Sequence, residues 1–503
     1  MLLTSRNAQD IGAPLASLQA LDWLNFFLAA LLTGFGPFVA VYLADRGWSP
    51  ESIGFVLTAS GLAGLISQIP AGEIIDLVSS RRMLIGAGTA AVTLALLIFA
   101  LRPDFPSVLT ASVIQGLAGS LLGPAVAAVS LGLVGHDALA ERLGRNQRFA
   151  SIGSLATAAV LGVAGYLLTT QAIFLVAAAL WLPLLVVLVR IRSADIHFGR
   201  SCGAPDHHAK DPPRISRAAL LKDHRLVTFA ACLFLFQLAN ASLLPQIAQT
   251  LVQVHGHASS PIISAMIVGP QIIVALLAPW VGRTAASAGR RPLLIIGLAA
   301  VPIRAALFLL MPGPALLIAI QLLDGLSGAT LGVLTALVIA DLTSGTGRFN
   351  LAQGLVGALS GVGASLSTSI SGVVVEKFGQ AAGLSSVLAV GLLAVAIVVA
   401  FMPETKPSTP LRRPLNGTFT PSSQVARRPR QERPQLVMVP SAGWGPAAAA
   451  LATQLRGRPR WSENRAIAEV IFQCHWRYLA QFGTPSRESL LAYPLHRDEG
   501  AEL

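Results

Sequence analysis

Arg304 and Asp324 are the residues of this 503-residue chain whose setting points most directly to chemistry, because each stands alone in an apolar run long enough to cross a bilayer. A charge at that depth is costly and therefore marks a functional candidate. Arg304 lies 12 residues after Pro292, and Asp324 lies 9 after Ala315. At 1.5 Å per residue these are heights of about 18 Å and about 14 Å, which together approach a hydrocarbon core of about 30 Å. The two side chains are expected at similar depth on adjacent helices. Two roles are open to such a pair: Asp324 titrates or binds a cationic substrate while Arg304 tunes it, or the two form a static salt bridge. Asn25, Gln115, Gln237, Asn240 and Gln271 also fall at mid-depth. There, amides either bind a ligand or bond across helices. Asn240 has the stronger case, since Pro245 follows it and a broken helix offers backbone groups at the midplane. Asp22, near the start of an apolar run, is expected to snorkel to the interface.

These residues need helices to hold them, and the composition supplies helices of one kind. Hydrophobic residues make up 53% of the chain and charged residues 12%, about half the share of a soluble protein, so a water-soluble enzyme is excluded. Apolar runs of about 20 residues predict twelve spans. The boundaries are Leu18 to Leu43, Ile53 to Val78, Met83 to Leu101, Ser107 to Val134, Phe149 to Thr169 and Gln171 to Val189. They continue with Leu226 to Leu251, Ile262 to Gly282, Pro292 to Met311, Ala315 to Ala340, Leu351 to Val375 and Ala381 to Met402. The plan is all-α: a six-helix bundle at 1–189, a connector at 190–225, a second bundle at 226–405 and a Pro/Arg-rich tail at 406–503.

Basic residues stay on the cytoplasmic side of a membrane, and their placement orients the chain. One set of loops holds Arg81, Arg82, Arg142, Arg145, Arg148, the basic residues of the connector, Arg283, Arg290, Arg291 and Arg348. The other set holds Arg46, Arg102 and Lys377. Both termini are therefore expected in the cytoplasm, with the chain in the inner membrane and the first span serving as its own insertion signal.

The halves repeat. Gly72, Gly153 and Gly162 stand 210 residues before Gly282, Gly363 and Gly372, and Arg81-Arg82 matches Arg290-Arg291 within one residue. Parallel halves with a site between them are a transporter plan. The segment Gly72-Glu-Ile-Ile-Asp76-Leu-Val-Ser-Ser-Arg81-Arg82 resembles the signature loop of the major facilitator superfamily. The second copy, from Gly282 to Gly289-Arg290-Arg291, has Ala286 where the aspartate is expected, and the first has Ser79 where the loop glycine usually stands. The resemblance covers about residues 15 to 405 and includes the Met402-Pro403-Glu404-Thr405 exit. It implies alternating access by two rocking bundles, with the loops latching the cytoplasmic side. Gly153 and Gly162 partly resemble the superfamily's antiporter motif, although Val163 replaces its proline; close packing by small residues accounts for them equally, as for Gly363 and Gly372. Gln115-Gly116 is present without the arginine that drug/proton antiporters carry three residues earlier, which is Ser112 here.

No nucleotide-binding loop, paired carboxylates or nucleophile-base set is visible, and no cofactor is expected. Cys202, Cys232 and Cys474 lack zinc-like spacing, and His255 and His257 have no third ligand, so no metal site is expected either. The net charge of +12 divides into +7 from the tail and +5 from the body, which argues for orientation plus a basic tail and against nucleic acid. Ser216 to Lys222 is expected as a short surface helix. Ser462 to Phe482, with Ile467, Val470, Ile471, Cys474 and Tyr478 at helical spacing, is expected as an amphipathic helix that docks on lipid or a partner, in a tail otherwise disordered or without function. The expected protein is a monomeric secondary transporter of small organic solutes among membrane lipids, with protons as coupling ion and export as direction. The other reading is a non-transporting member that serves as a sensor or assembly factor.

Overall fold

A computed structural model describes residues 15–33, 36–203, 216–255, 260–310 and 313–406, together with 436–438 and 492–494. The chain divides into two compact units, Met1–Pro410 and Leu411–Leu503. In the second, Leu436–Met438 (β1) pairs antiparallel with Ala492–Pro494 (β2). The amphipathic segment expected at 462–482 lies outside the described residues, as do Cys474 and His257.

The first unit is helical. Its elements are α1 (Leu15–Thr33), α2 (Gly36–Asp45), α3 (Pro50–Leu77), α4 (Arg81–Leu101), α5 (Phe105–Leu167), α6 (Thr170–Ala179) and α7 (Trp181–Arg190). The short α8 (Phe198–Ser201) and α9 (Arg217–Lys222) follow, the latter capped by the Ser216 hydroxyl, which accepts from the Ala219 N–H. The second half comprises α10 (His224–Asn240), α11 (Leu243–His255), α12 (Ser260–Ala288), α13 (Arg291–Phe308), α14 (Pro314–Leu342), α15 (Phe349–Phe378) and α16 (Gln380–Phe401).

Among the described residues, eleven stretches are long and apolar enough to span a bilayer, and one, within α5, counts twice. Helix α5 runs for 63 residues but is broken at Gly135, whose φ of 69° reverses the chain. Only glycine adopts that conformation without strain. The result is twelve crossings. Large apolar side chains such as Met83, Leu94, Leu182, Leu276 and Leu392 point outward, as hydrocarbon-facing residues do.

The fifth crossing begins near His136 and not at Phe149, where the sequence reading started it. Glu141, Arg142, Arg145 and Arg148 have the look of a loop, but they are helical, and Arg142 is buried among internal partners. The seventh crossing is interrupted between α10 and α11, as expected from Pro245, and the Ser242 N–H freed by the break donates to Ser367 Oγ at 3.1 Å. The connector is partly built: Asp195 accepts from Ser17 Oγ at 2.6 Å, and the His197 N–H donates to the Gly132 carbonyl.

The halves meet at two interfaces that repeat each other. Helix α3 packs on α15, and α5 on α12. A Cβ on Gly72 would overlap the Asn350 carbonyl, and one on Gly282 would overlap the Ala140 carbonyl. Gly354 abuts the Gln68 carbonyl in the same way, and Gly144 the Ala278 carbonyl. Each member of one interface lies 210 residues from its counterpart in the other. All four glycines are near the end of the bundle that carries Arg81, Arg82, Arg290 and Arg291, the basic face. Within each half, Gly153 meets the Phe26 backbone and Gly363 the Phe234 backbone, the glycines 210 and the phenylalanines 208 residues apart. Gly372 does not act in packing: nothing lies within 4 Å of its Cβ position, because it is on the exposed face of α15 while the adjacent Ser371 is buried.

Replacing both Gly72 and Gly282 with valine is expected to separate the halves at the basic face, since no backbone at either site can yield. Spin labels at Ser79→Cys and Ser344→Cys, in a background lacking the three native cysteines, should report a longer distance than in the parent. An unchanged distance would show that the close approach is dispensable.

Candidate functional site

The two interfaces close the basic face beneath a cavity of about 650 Å³ between the halves. Its wall combines apolar side chains such as Leu28, Phe236 and Leu331 with Asn25, Gln68, Asn146 and Gln147 from the first half. The second half contributes Gln237, Thr335, Gln353 and Ser360. Among the described residues that line the cavity there is no Asp, Glu, Lys, Arg or His. Two of the amides expected from sequence, Asn25 and Gln237, are on this wall. Gln115 is not, and its side-chain oxygen accepts instead from Ser60 Oγ at 2.7 Å, the cross-helix alternative. Gln271 is likewise absent from the lining.

Arg304 and Asp324 form the pair that their positions in sequence imply: Arg304 Nη1 donates to Asp324 Oδ1. Asn240 joins them, its Oδ1 accepting from Arg304 Nη2 at 2.8 Å. The guanidinium is buried, with a side-chain exposure of 1%, whereas the carboxylate keeps 31%. Asp324 precedes the wall residue Leu331 by seven positions on α14, and Asn240 follows Leu233 by seven on α10. Two helical turns return a residue to the same face about 10 Å along the axis. The cluster therefore continues the cavity-lining faces away from the basic end, without entering the lining itself.

Below the cavity lies a second charged cluster that the sequence reading missed. Asp22 does not snorkel. It is buried and paired with both Arg142 and Arg145, the latter through Nη2 at 2.5 Å and Nε at 2.8 Å. Arg142 also donates to the Leu18 carbonyl and, through Nε at 2.7 Å, to Asn146 Oδ1; Asn146 in turn donates to Ser130 Oγ. The available signal was the Arg142-x-x-Arg145 spacing, which places two guanidinium groups on one helix face. Taking the segment for a loop concealed it.

The loop residues act as remote helix caps. Asp76 accepts from the backbone N–H of Leu351 at 2.9 Å and of Asn350 at 3.3 Å, and from Asn350 Nδ2 at 2.8 Å. It thereby serves the start of α15, which has no side-chain cap of its own. Arg81 reaches the connector, with Nε to Ser201 Oγ and Nη2 to Cys202 Sγ, while Phe198 lies under its guanidinium at 4.8 Å. Arg82 donates to the Ile191 carbonyl at 3.1 Å. In the second copy, which has Ala286 in place of the aspartate, a different helix start is capped, that of α13 within its own half: Glu404 accepts from the N–H groups of Arg290 at 2.8 Å and Arg291 at 3.1 Å. Gly289, at φ 105°, lets the carboxylate approach, because a Cβ there would come within 2.9 Å of the Glu404 carboxyl carbon. Arg290 itself pairs with Asp341 at 2.9 Å, and Arg291 donates to the Val399 carbonyl at 2.6 Å.

Two halves that repeat each other's packing around a solute-sized cavity define a multi-pass membrane transporter. The family model of the Major Facilitator Superfamily matches residues 21–229 and 229–468. The chain is 33% identical over 398 residues to an uncharacterized MFS-type transporter of Mycobacterium tuberculosis strain CDC 1551, covering 78% of this chain and 95% of the relative. The counterpart in strain H37Rv matches equally. Among solved structures, the human organic anion transporter TETRAN superposes with a TM-score of 0.59 at 15% identity, over 76% of this chain and 99% of its own. The proton:xylose symporter XylE superposes with 0.60 at 15%, over 77% and 96%. The chain belongs to the Major Facilitator Superfamily.

Two outcomes are expected from these contacts. Asp22→Asn leaves Arg142 and Arg145 sharing a site without a counter-charge, and breaking a buried pair in this way costs about 3–5 kcal/mol. Thermal unfolding of the purified protein should show a clear loss of stability, and a change of only a degree or so would mean that water reaches the pair. For Glu404, burial pushes the carboxyl up, but the N–H groups of Arg290, Lys406 and Arg291 outweigh it and hold it below the ordinary 4.5. The folded chain thus releases this proton more readily than the unfolded chain, so the contribution is complete above pH 4.5 and fades as the pH falls through the depressed value. The stability gap between the parent and Glu404→Gln should be constant from neutral pH down to that point and narrow below it.

Proposed function

We propose that the chain is a proton-coupled exporter of small organic solutes that works by alternating access. In this reading bundles 1–189 and 226–405 rock about the cavity, and the connector 190–225 and tail 406–503 lie on the cytoplasmic side of the inner membrane. The observation that carries it is the cavity between the halves, walled by side-chain amides and lying beyond the close glycine contacts at the basic face. A non-transporting sensor or assembly factor has no use for such a space, and a core filled with bulky apolar groups would suit it better.

Asp324, with Arg304 and Asn240, is the coupling site in this proposal. Its carboxylate is partly exposed while its partner is buried, so a proton can reach the acid from the side opposite the basic face. Protonation removes the charge that compensates Arg304. A buried guanidinium without its counter-charge is unstable, which gives the second half a reason to repack around Asn240. Asp76, with Gly72, Arg81, Arg82, Gly282, Gly289, Arg290 and Arg291, holds the basic face shut in one state and releases it in the other. The cavity residues Asn25 and Gln237 contact the solute, while Gln115 and Gln271 serve helix association.

Asp324→Asn should abolish transport driven by an imposed pH gradient in proteoliposomes while leaving expression and solute counterflow intact, and Asp324→Glu should restore it. Gradient-driven transport that survives Asp324→Asn unchanged would refute the coupling role.

A further inference from the structure

We propose that the cavity takes an uncharged organic solute rich in hydroxyl or amide groups and excludes ionised molecules. This rests on the reading of the cavity as the solute site. The first argument is the absence of any ionisable side chain from the wall. An ion that gives up its water shell there meets no counter-charge, and such a transfer is the costliest that a small solute can make.

The second argument concerns the charges nearest the cavity, because each is already spent. Asp324 is paired with Arg304. At the other end Asp22 holds both arginines. Arg142 directs its remaining donors to the Leu18 carbonyl and to Asn146, and Arg145 lies over the Phe149 ring at 5.7 Å. The Asp22 cluster keeps a net +1, but both guanidinium groups are held by protein partners, and no charged member of either cluster is among the described lining residues.

The third argument is what the wall does offer. Amides present a donor and an acceptor side by side, which matches vicinal hydroxyls or another amide edge and has no preference for either sign of charge. They come from both halves: Asn25, Gln68 and Gln147 face Gln237 and Gln353. The apolar residues between the amides suit a carbon skeleton, and about 650 Å³ holds a small molecule.

The test uses the purified full chain in nanodiscs and two matched series at neutral pH: benzamide, benzoate and benzylammonium; glucose, glucuronate and glucosamine. Binding is read as thermal stabilisation across a concentration series. The neutral member of at least one series should bind at least tenfold more tightly than both charged analogues. Gln237→Glu, which keeps the shape and adds a charge, should reverse that order in favour of the cation. Ser360→Phe and Thr335→Phe, which fill the cavity from two sides, should each remove the binding. Charged analogues that bind as well as the neutral ones, and lose that binding in the filled variants, would overturn the solute class while leaving the cavity as the site. Binding insensitive to both filled variants, or none from either series, would overturn the cavity as solute site and the class with it.

Discussion

Backbone contact across the pseudo-twofold axis is the constraint on which the remainder of this structure depends. Gly72 against Asn350 and Gly282 against Ala140 bring helices from opposite halves closer than any side chain permits, and Gly144 and Gly354 repeat the approach one to two turns away. Because these contacts lie toward one end, the halves touch there and diverge beyond it. The cavity is the consequence of that divergence. The same contacts place the start of α15 beside Asp76, so the loop carboxylate can cap a helix of the other half. A latch built from backbone carbonyls and helix ends needs no large buried area, which suits an interface that must open and close.

Charge inside the bundle follows one rule throughout: each charge has an opposite charge beside it, although Arg142 and Arg145 share one carboxylate and keep a net +1 between them. Arg304 has Asp324 and Asn240, Arg142 and Arg145 share Asp22, and Arg290 has Asp341. The membrane makes unpaired charges expensive, and the two halves solve the problem separately, the first near the basic face and the second toward the opposite end. This leaves an amide wall without ionisable groups between a compensated pair and a cluster of net charge +1. The difference between the halves also shows in the loops: in the first, Asp76 caps a helix of the other half, and in the second, Glu404 from the exit of the last span caps α13 of its own half. Each carboxylate satisfies N–H groups that a helix N-terminus leaves without an intrahelical partner.

Much of this was legible in the sequence. The number of spans, the repeat at 210 residues and the depth match of Arg304 with Asp324 all follow from hydropathy and helix rise, which are local and additive. The break after Asn240 was readable because proline cannot continue a helix unperturbed. The readings that failed did so for one reason. Asp22, Arg142 and Arg145 carry a charge that looks solvated when each is read within its own segment, and only their meeting across more than a hundred residues makes burial affordable. Gly372 failed in the opposite sense, since spacing marks a glycine as small but does not say whether a neighbour is present.

The sequence by itself determined that this chain crosses a membrane twelve times in two related halves, because the length and composition of each span decide its insertion independently of the others. Only the tertiary structure decided which polar groups face the cavity, which are spent on one another, and that the wall between the charged clusters is neutral. Those outcomes depend on distances between helices far apart in the chain, and a helix sequence specifies which faces are polar without specifying what each face meets.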